Sequence, residues 1–137
     1  PVGGAAEREV FIARLRPDFS VVARRTIPGG LGTPALEVDR AGFVVVGAVY
    51  EGDTSFGGSI LPGLGDWDLA VVKFDGLLQH VWSLGGGAAG KDDVYALATN
   101  ADGQVFAAGR FIGNLDLGLG PLAAGGAEDL WVALLGP

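Results

Sequence analysis

Carboxylates are the side chains of this sequence best equipped for chemistry, and they gather in three glycine-rich stretches, Asp66-Trp67-Asp68, Asp92-Asp93 and Glu128-Asp129. Closely spaced hard oxygens suit calcium, yet none of the three continues into a full Asp-x-Asp-x-Asp-Gly series with a terminal Glu. Paired acids also perform glycoside hydrolysis, but the sequence sets no separation between them. His80 is the one histidine, with no Ser or Cys at a motif spacing, so neither a nucleophilic triad nor a multi-histidine metal site is expected. Its place in a strand-like run makes it a solvent-side residue. Residues 85–92 read Gly-Gly-Gly-Ala-Ala-Gly-Lys-Asp, with Asp where a phosphate loop needs Ser or Thr and a strand-like Val94–Thr99 where it needs a helix. That stretch reads as a flexible connection between strands. No catalytic residue is assigned, no enzyme is expected, and calcium is the only cofactor left open.

Composition narrows the partners. The 137 residues carry a net charge of −7, against the Lys/Arg surface that nucleic acid requires. The charge is uneven: residues 1–25 hold five Arg against three acids, and the remainder four bases against thirteen acids, so the first stretch could dock on an acidic neighbour. Cysteine is absent, which removes disulfides and thiolate chemistry without choosing a compartment. No apolar run approaches the roughly 18 residues of a membrane-spanning helix. The sequence starts at Pro1 with neither initiator Met nor signal-peptide pattern, as a mature or excised segment would.

The apolar residues fall in short runs punctuated by 25 Gly and 7 Pro, the pattern of strands and turns. These runs repeat. Val10–Leu15, Leu69–Phe74 and Leu130–Leu135 start 59 and 61 residues apart; the hairpin 35–47 returns at 96–109 with a spacing of 61; and Phe19–Thr26 matches Leu77–Leu84 at 58. Each unit of about 60 residues thus holds four antiparallel strands, a, b, c and d. Strands a and b turn at Asp39–Gly42 and Asn100–Gly103, strands c and d at Arg16–Asp18 and Asp75–Gly76.

The expected fold is therefore all-β, a partial β-propeller of antiparallel four-stranded blades with about two and a quarter repeats. It is one repeat domain over 1–137: strands c–d at 9–27, a full blade a–b–c–d at 35–85 and strands a–b–c at 94–136. Small residues in strand b, around Gly47 and at Ala107-Ala108-Gly109, would let blades approach closely. Trp82 and Trp131 are expected to pack between blades. Open edges would need further blades, of the same chain or of a homo-oligomer.

Three segments carry a family resemblance: Asp102-Gly103-Gln104-Val105-Phe106-Ala107-Ala108-Gly109, then Gly125–Leu134 with its Asp129-Leu130-Trp131-Val132-Ala133-Leu134, and Val81-Trp82-Ser83-Leu84-Gly85-Gly86. Together they resemble bacterial SBBP-type β-propeller repeats. The first copy departs most, with Arg24 at the place given to Trp82 and Ala41-Gly42 at that of Asp102-Gly103. The resemblance implies an extracellular or cell-envelope protein of bacteria, with protein partners and no shared catalytic set.

In such a blade the b–c and d–a loops leave from one end. Residues 51–68, 85–93 and 113–129 would then bring Asp66, Trp67, Asp68, Asp92, Asp93, Glu128 and Asp129 to one acidic face, the expected contact surface for a protein, calcium or a carbohydrate.

Overall fold

The structure, a computed structural model, describes residues 9–29, 34–118 and 120–136. Eleven strands and no helix lie within them. Strands β1 (Glu9–Leu15) and β2 (Val21–Pro28) form an antiparallel hairpin. β3 (Ala35–Val38), β4 (Val44–Tyr50), β5 (Asp68–Phe74) and β6 (His80–Gly86) form a four-stranded antiparallel sheet in chain order. β7 (Asp93–Thr99), β8 (Val105–Phe111) and β11 (Asp129–Leu135) form a three-stranded one, with a small ribbon of β9 (Asn114–Leu115) and β10 (Leu122–Ala123) between β8 and β11. The protein is all-β and antiparallel, and among the described residues the sheets do not close into a barrel or ring.

Packing follows from β4 and β5, in which all seven residues of each strand are buried. Strand side chains alternate between faces, so a strand buried throughout must be covered on both. On one face Val44, Val46, Ala48, Ala70, Val72 and Phe74 meet Ile12 and Ile27 of the β1–β2 hairpin, with Phe56 and Leu78 closing the cluster. On the other, Val45, Leu69 and Val71 meet Val94, Val105, Ala107, Phe111 and Trp131 of the third sheet. Three sheets thus stack face to face, with the second in the middle.

Pairing registers repeat along the stack. Val44 opposite Phe74, Val46 opposite Val72 and Ala48 opposite Ala70 recur, 61 residues on, as Val105 opposite Leu135, Ala107 opposite Ala133 and Gly109 opposite Trp131. The period extends into a segment expected to be irregular: the bridge of Thr54 to Leu61 returns as the pairing of Leu115 with Leu122.

One alignment is corrected. β1–β2 and β5–β6 carry a bulge at the same place, after Arg14 and after Lys73, so the last strand of the hairpin keeps the offset of 59 and not 58. Ala23, opposite Arg14, is therefore the counterpart of Trp82, opposite Lys73, and Arg24 is that of Ser83.

The turns use Asx chemistry. Asp39 Oδ1 accepts from the N–H of Ala41 and Phe43, Asn100 Oδ1 from Asp102 and Gln104, and Asp75 Oδ1 from Leu77 and Gln79. Gly42 and Gly103 take the positive φ in the a–b turns, at 87° and 78°. In the c–d turns that conformation falls to Phe19 and Leu78, at 65° and 60°. Leu78 is buried against the first sheet, which offsets the backbone strain. Gly47 permits close sheet approach, since a Cβ there would lie 2.5 Å from Val94 Cγ1.

Leu69, fully buried, and Leu130, 79% exposed, occupy the same position of successive repeats. Leu69→Ala is expected to cost about 2–5 kcal/mol by leaving a cavity. Leu130→Ala should change stability by under about 0.5 kcal/mol in dilute solution. Denaturant unfolding of both variants checks this, and equal losses would count against the stacking.

Candidate functional site

The seven residues expected to form an acidic contact face come together at one end of the second and third sheets, but three of them, Asp68, Asp92 and Asp93, are buried. Asp68 and Asp92 are fully buried and Asp93 is 9% exposed; Trp67 is half-buried, while Asp66 and Glu128 are exposed. What draws the acids in is a recurring loop clamp. Asp68 Oδ2 accepts the N–H of Leu64 at 2.8 Å, Asp92 Oδ2 that of Ala88 at 3.0 Å and Asp129 Oδ2 that of Gly125 at 2.6 Å. In each case an aspartate at or beside the start of a strand captures the amide four residues earlier, closing the loop that precedes it. Such charge-assisted bonds are stronger than neutral ones.

The loops are also tied to one another. Asp92 N–H donates to Trp67 O at 2.8 Å, and Asp92 Oδ1 accepts the N–H of Ile112 at 3.0 Å. Trp67 Nε1 donates to Glu51 Oε1 at 2.7 Å, while the Lys91 ammonium lies 3.8 Å from the indole centroid. One face of the ring thus already holds a cation. Arg110 bridges Asp93 at 2.8 Å and Glu128 at 2.6 Å. The expected acidic surface is therefore divided into clamps, a stacked Lys–Trp pair and an Arg-centred pair of ion bonds, because Asp68, Asp92, Asp93, Glu128 and Asp129 each have a nearer partner within the fold, while Asp66 stays exposed.

One polar atom stands out. Asp68 Oδ1 is buried without a hydrogen-bond partner. It faces Asp92 Oδ2 across Gly87, where a Cβ would collide with both oxygens. Burial pushes Asp68 above the ordinary carboxylate value of 3.8, against the opposing N–H groups of Leu64 and Gly65. Burial raises Asp92 too, opposed by the N–H groups of Ile112 and Ala88 and reinforced by the charges of Asp68 and Asp93. The Tyr50 phenol is pushed up to about 12 by burial and then by Asp68 and Asp53, and it donates to Pro62 O at 3.1 Å. Among the described residues no group of three or more His, Cys, Asp or Glu could hold a metal ion.

His80 is not the solvent-side residue expected. It is half-buried, its ring edge-on to Phe74 at 6.4 Å and its Nε2 3.2 Å from Ser83 Oγ. Burial and then Arg25 lower its pKa below 6.5, so it is neutral at pH 7. The Gly-x-x-x-x-Gly-Lys stretch joins β6 to β7, with Lys91 committed to Trp67. Trp131 is buried between the second and third sheets, its Nε1 donating to Asp93 O at 3.2 Å, and Trp82 packs against the same cluster.

Sequence reasoning passed over Asp39 and Lys73. They form a buried pair at 3.3 Å, and the ammonium also donates to Gly103 O of the next sheet at 3.2 Å. Burial pushes the Asp39 carboxyl up, but the N–H of Phe43, the Lys73 ammonium and the N–H of Ala41 outweigh it and leave the pKa lowered. A base at the penultimate position of strand c, opposite an Asp-led turn, was the available signal.

No family model, curated protein or solved structure matches the chain.

The clamp pair predicts a pH dependence. Carboxyls whose folded pKa is raised contribute stability that is present below their unfolded value and lost as pH rises through the folded one. The melting temperature should therefore fall as pH is raised from near 3.8 towards neutrality. Asp68→Asn keeps the shape of the protonated acid and should flatten that decline, whereas Asp39, with its lowered pKa, contributes in the opposite sense at lower pH. An undiminished slope in the Asn variant would refute the assignment of that decline to the buried Asp68.

Proposed function

We propose that the chain is a non-catalytic interaction module, a run of propeller-type blades from a bacterial cell-surface or envelope protein that engages protein partners by adding further sheets to its stack. One observation carries this reading. Both faces of the middle sheet are covered by a neighbouring sheet, while the same repeat positions on the outward faces of the first and third sheets are bare. The resemblance of residues 102–109, 125–134 and 81–86 to SBBP-type repeats supports the propeller and the bacterial surface. The inward-turned acids support a scaffold over an enzyme, because each clamp stiffens a loop. Among the described residues no helix is long and apolar enough to cross a membrane.

Repeat stacking makes stability a sum over units and their interfaces. Since Leu36 and Leu97 are one period apart, a second copy of residues 36–96 can be inserted between Ala96 and Leu97 in register. The longer chain should melt at a higher temperature in a single transition. A separate, earlier melting phase for the inserted unit would overturn the reading.

A calcium-binding module is the second reading, favoured by the unpartnered Asp68 Oδ1 facing Asp92. On that reading calcium at pH 7 raises the melting temperature over a chelator control, and Asp68→Asn abolishes the rise. An identical temperature in calcium and chelator leaves the scaffold alone.

A further inference from the structure

Among the described residues the stack has two outer faces with no sheet on them, and they differ. On the hairpin, Phe11 is 65%, Leu15 48% and Phe19 82% exposed. Their counterparts 59 residues on, Ala70, Phe74 and Leu78, are at most 1% exposed, because in the second sheet that face is covered by the first. On the third sheet, Phe106 is 43%, Leu130 79% and Val132 77% exposed. Their counterparts 61 residues back, Val45, Leu69 and Val71, are fully buried, because in the second sheet that face is covered by the third. One bare end is therefore the face that receives a preceding sheet, and the other the face that receives a following one.

We propose that these two faces are the halves of a single heterologous interface, and that the occupant of each is a second copy of this chain. The β1–β2 hairpin face of one copy docks on the β8–β11 face of another, head to tail. The proposal rests on the stacked-sheet reading above and adds the partner. Its template is the pair of interfaces already inside the molecule, where a face of the second type meets a face of the first type twice over. Faces of one kind have no such template, so a two-fold dimer through either end is not expected. A head-to-tail contact leaves each added copy with one free face of each type, and assembly continues until a ring closes or a filament grows. Exposed apolar patches of this extent are the surfaces that associate in solution.

Inside the molecule a strand-c cation reaches across each interface: Arg14 donates to Gly76 O and Lys73 to Gly103 O. In the third sheet that position is Leu134, 52% exposed. The contact between copies is thus apolar at this point, and association should hold or strengthen as salt is raised, where docking of the Arg-rich hairpin on acids would weaken.

The test uses two variants that each block one face, Phe11→Glu and Val132→Glu. Both positions are solvent-exposed, so each variant should melt as the parent does in dilute solution. By sedimentation the parent chain should form species that grow with concentration, and each variant alone should be monomeric. An equimolar mixture should give a dimer and nothing larger, because only the hairpin of the Val132→Glu chain and the third sheet of the Phe11→Glu chain remain able to pair. If one variant alone still dimerises, like faces pair and the proposal is wrong. A parent chain that stays monomeric up to millimolar concentration also overturns it, while leaving the stacked-sheet reading to the tandem-insertion experiment.

Discussion

Everything in this protein depends on the burial of β4 and β5 on both sides. Fourteen consecutive-in-strand residues, Val44–Tyr50 and Asp68–Phe74, are removed from water. A single sheet cannot achieve this, because half of its side chains must face outward. The hydrophobic term therefore drives sheet upon sheet, and at about 25 cal/mol per Å² of apolar surface it dominates any one polar contact in the molecule. The neighbouring sheets are recruited for their apolar faces, and the polar groups then fix register. Arg25 shows this second role: from the first sheet it donates to Leu78 O and Phe56 O, both belonging to the second repeat, while its guanidinium lies 5.0 Å from the Phe74 ring centroid.

The same constraint explains why the acids turned inward. Stacked strands bring their connecting loops to one crowded end, where backbone amides leave the ladder and lose their partners. A buried amide without an acceptor is costly, so an aspartate that accepts it is retained. Asp68 and Asp92 meet that need four residues from the amide they hold, and Asp129 repeats the geometry at an exposed Gly125. Two of these clamps meet at Gly87, which leaves Asp68 Oδ1, among the described residues, as the one buried oxygen of the network without a protein donor. Titratable behaviour thus arises as a by-product of packing.

The strand pattern was legible because strands of this kind write their burial directly into sequence. Val44-Val45-Val46 and Leu69-Ala70-Val71-Val72 are apolar without alternation, which signals cover on both faces, and the 61-residue spacing of the a–b hairpins is the actual structural period. The 58-residue offset of the last strand misled because a bulge is invisible in side-chain type; only the pairing of Lys73 with Trp82 and of Arg14 with Ala23 reveals it. The positive φ of Leu78 was hidden for a related reason. A leucine there is paid for by contacts with Ile12 and Ile27, residues some fifty or more positions away. The acids read as a surface because aspartate on a glycine-rich loop is ordinarily solvated, and nothing local shows that a loop 24 residues on will cover Asp68.

The third repeat departs from the second in a coupled way. Where the second has Asp39 and Lys73, the third has Asn100 and Leu134, at the same spacing. Asn100 keeps the turn clamp through Oδ1 but brings no charge. A buried ammonium needs both its carboxylate and the carbonyl that the following sheet supplies, and losing either leaves an expensive unpaired group. Lys73 has both, because Gly103 is held in the same chain. Among the described residues no sheet follows the outer face of the third, so none supplies a carbonyl acceptor for a lysine at 134. Leucine makes no such directional demand: it can tolerate water when the face is bare and gains from contact when it is covered. The paired change therefore suits the apolar contact proposed between copies, while the charged pair suits the interface held within the chain.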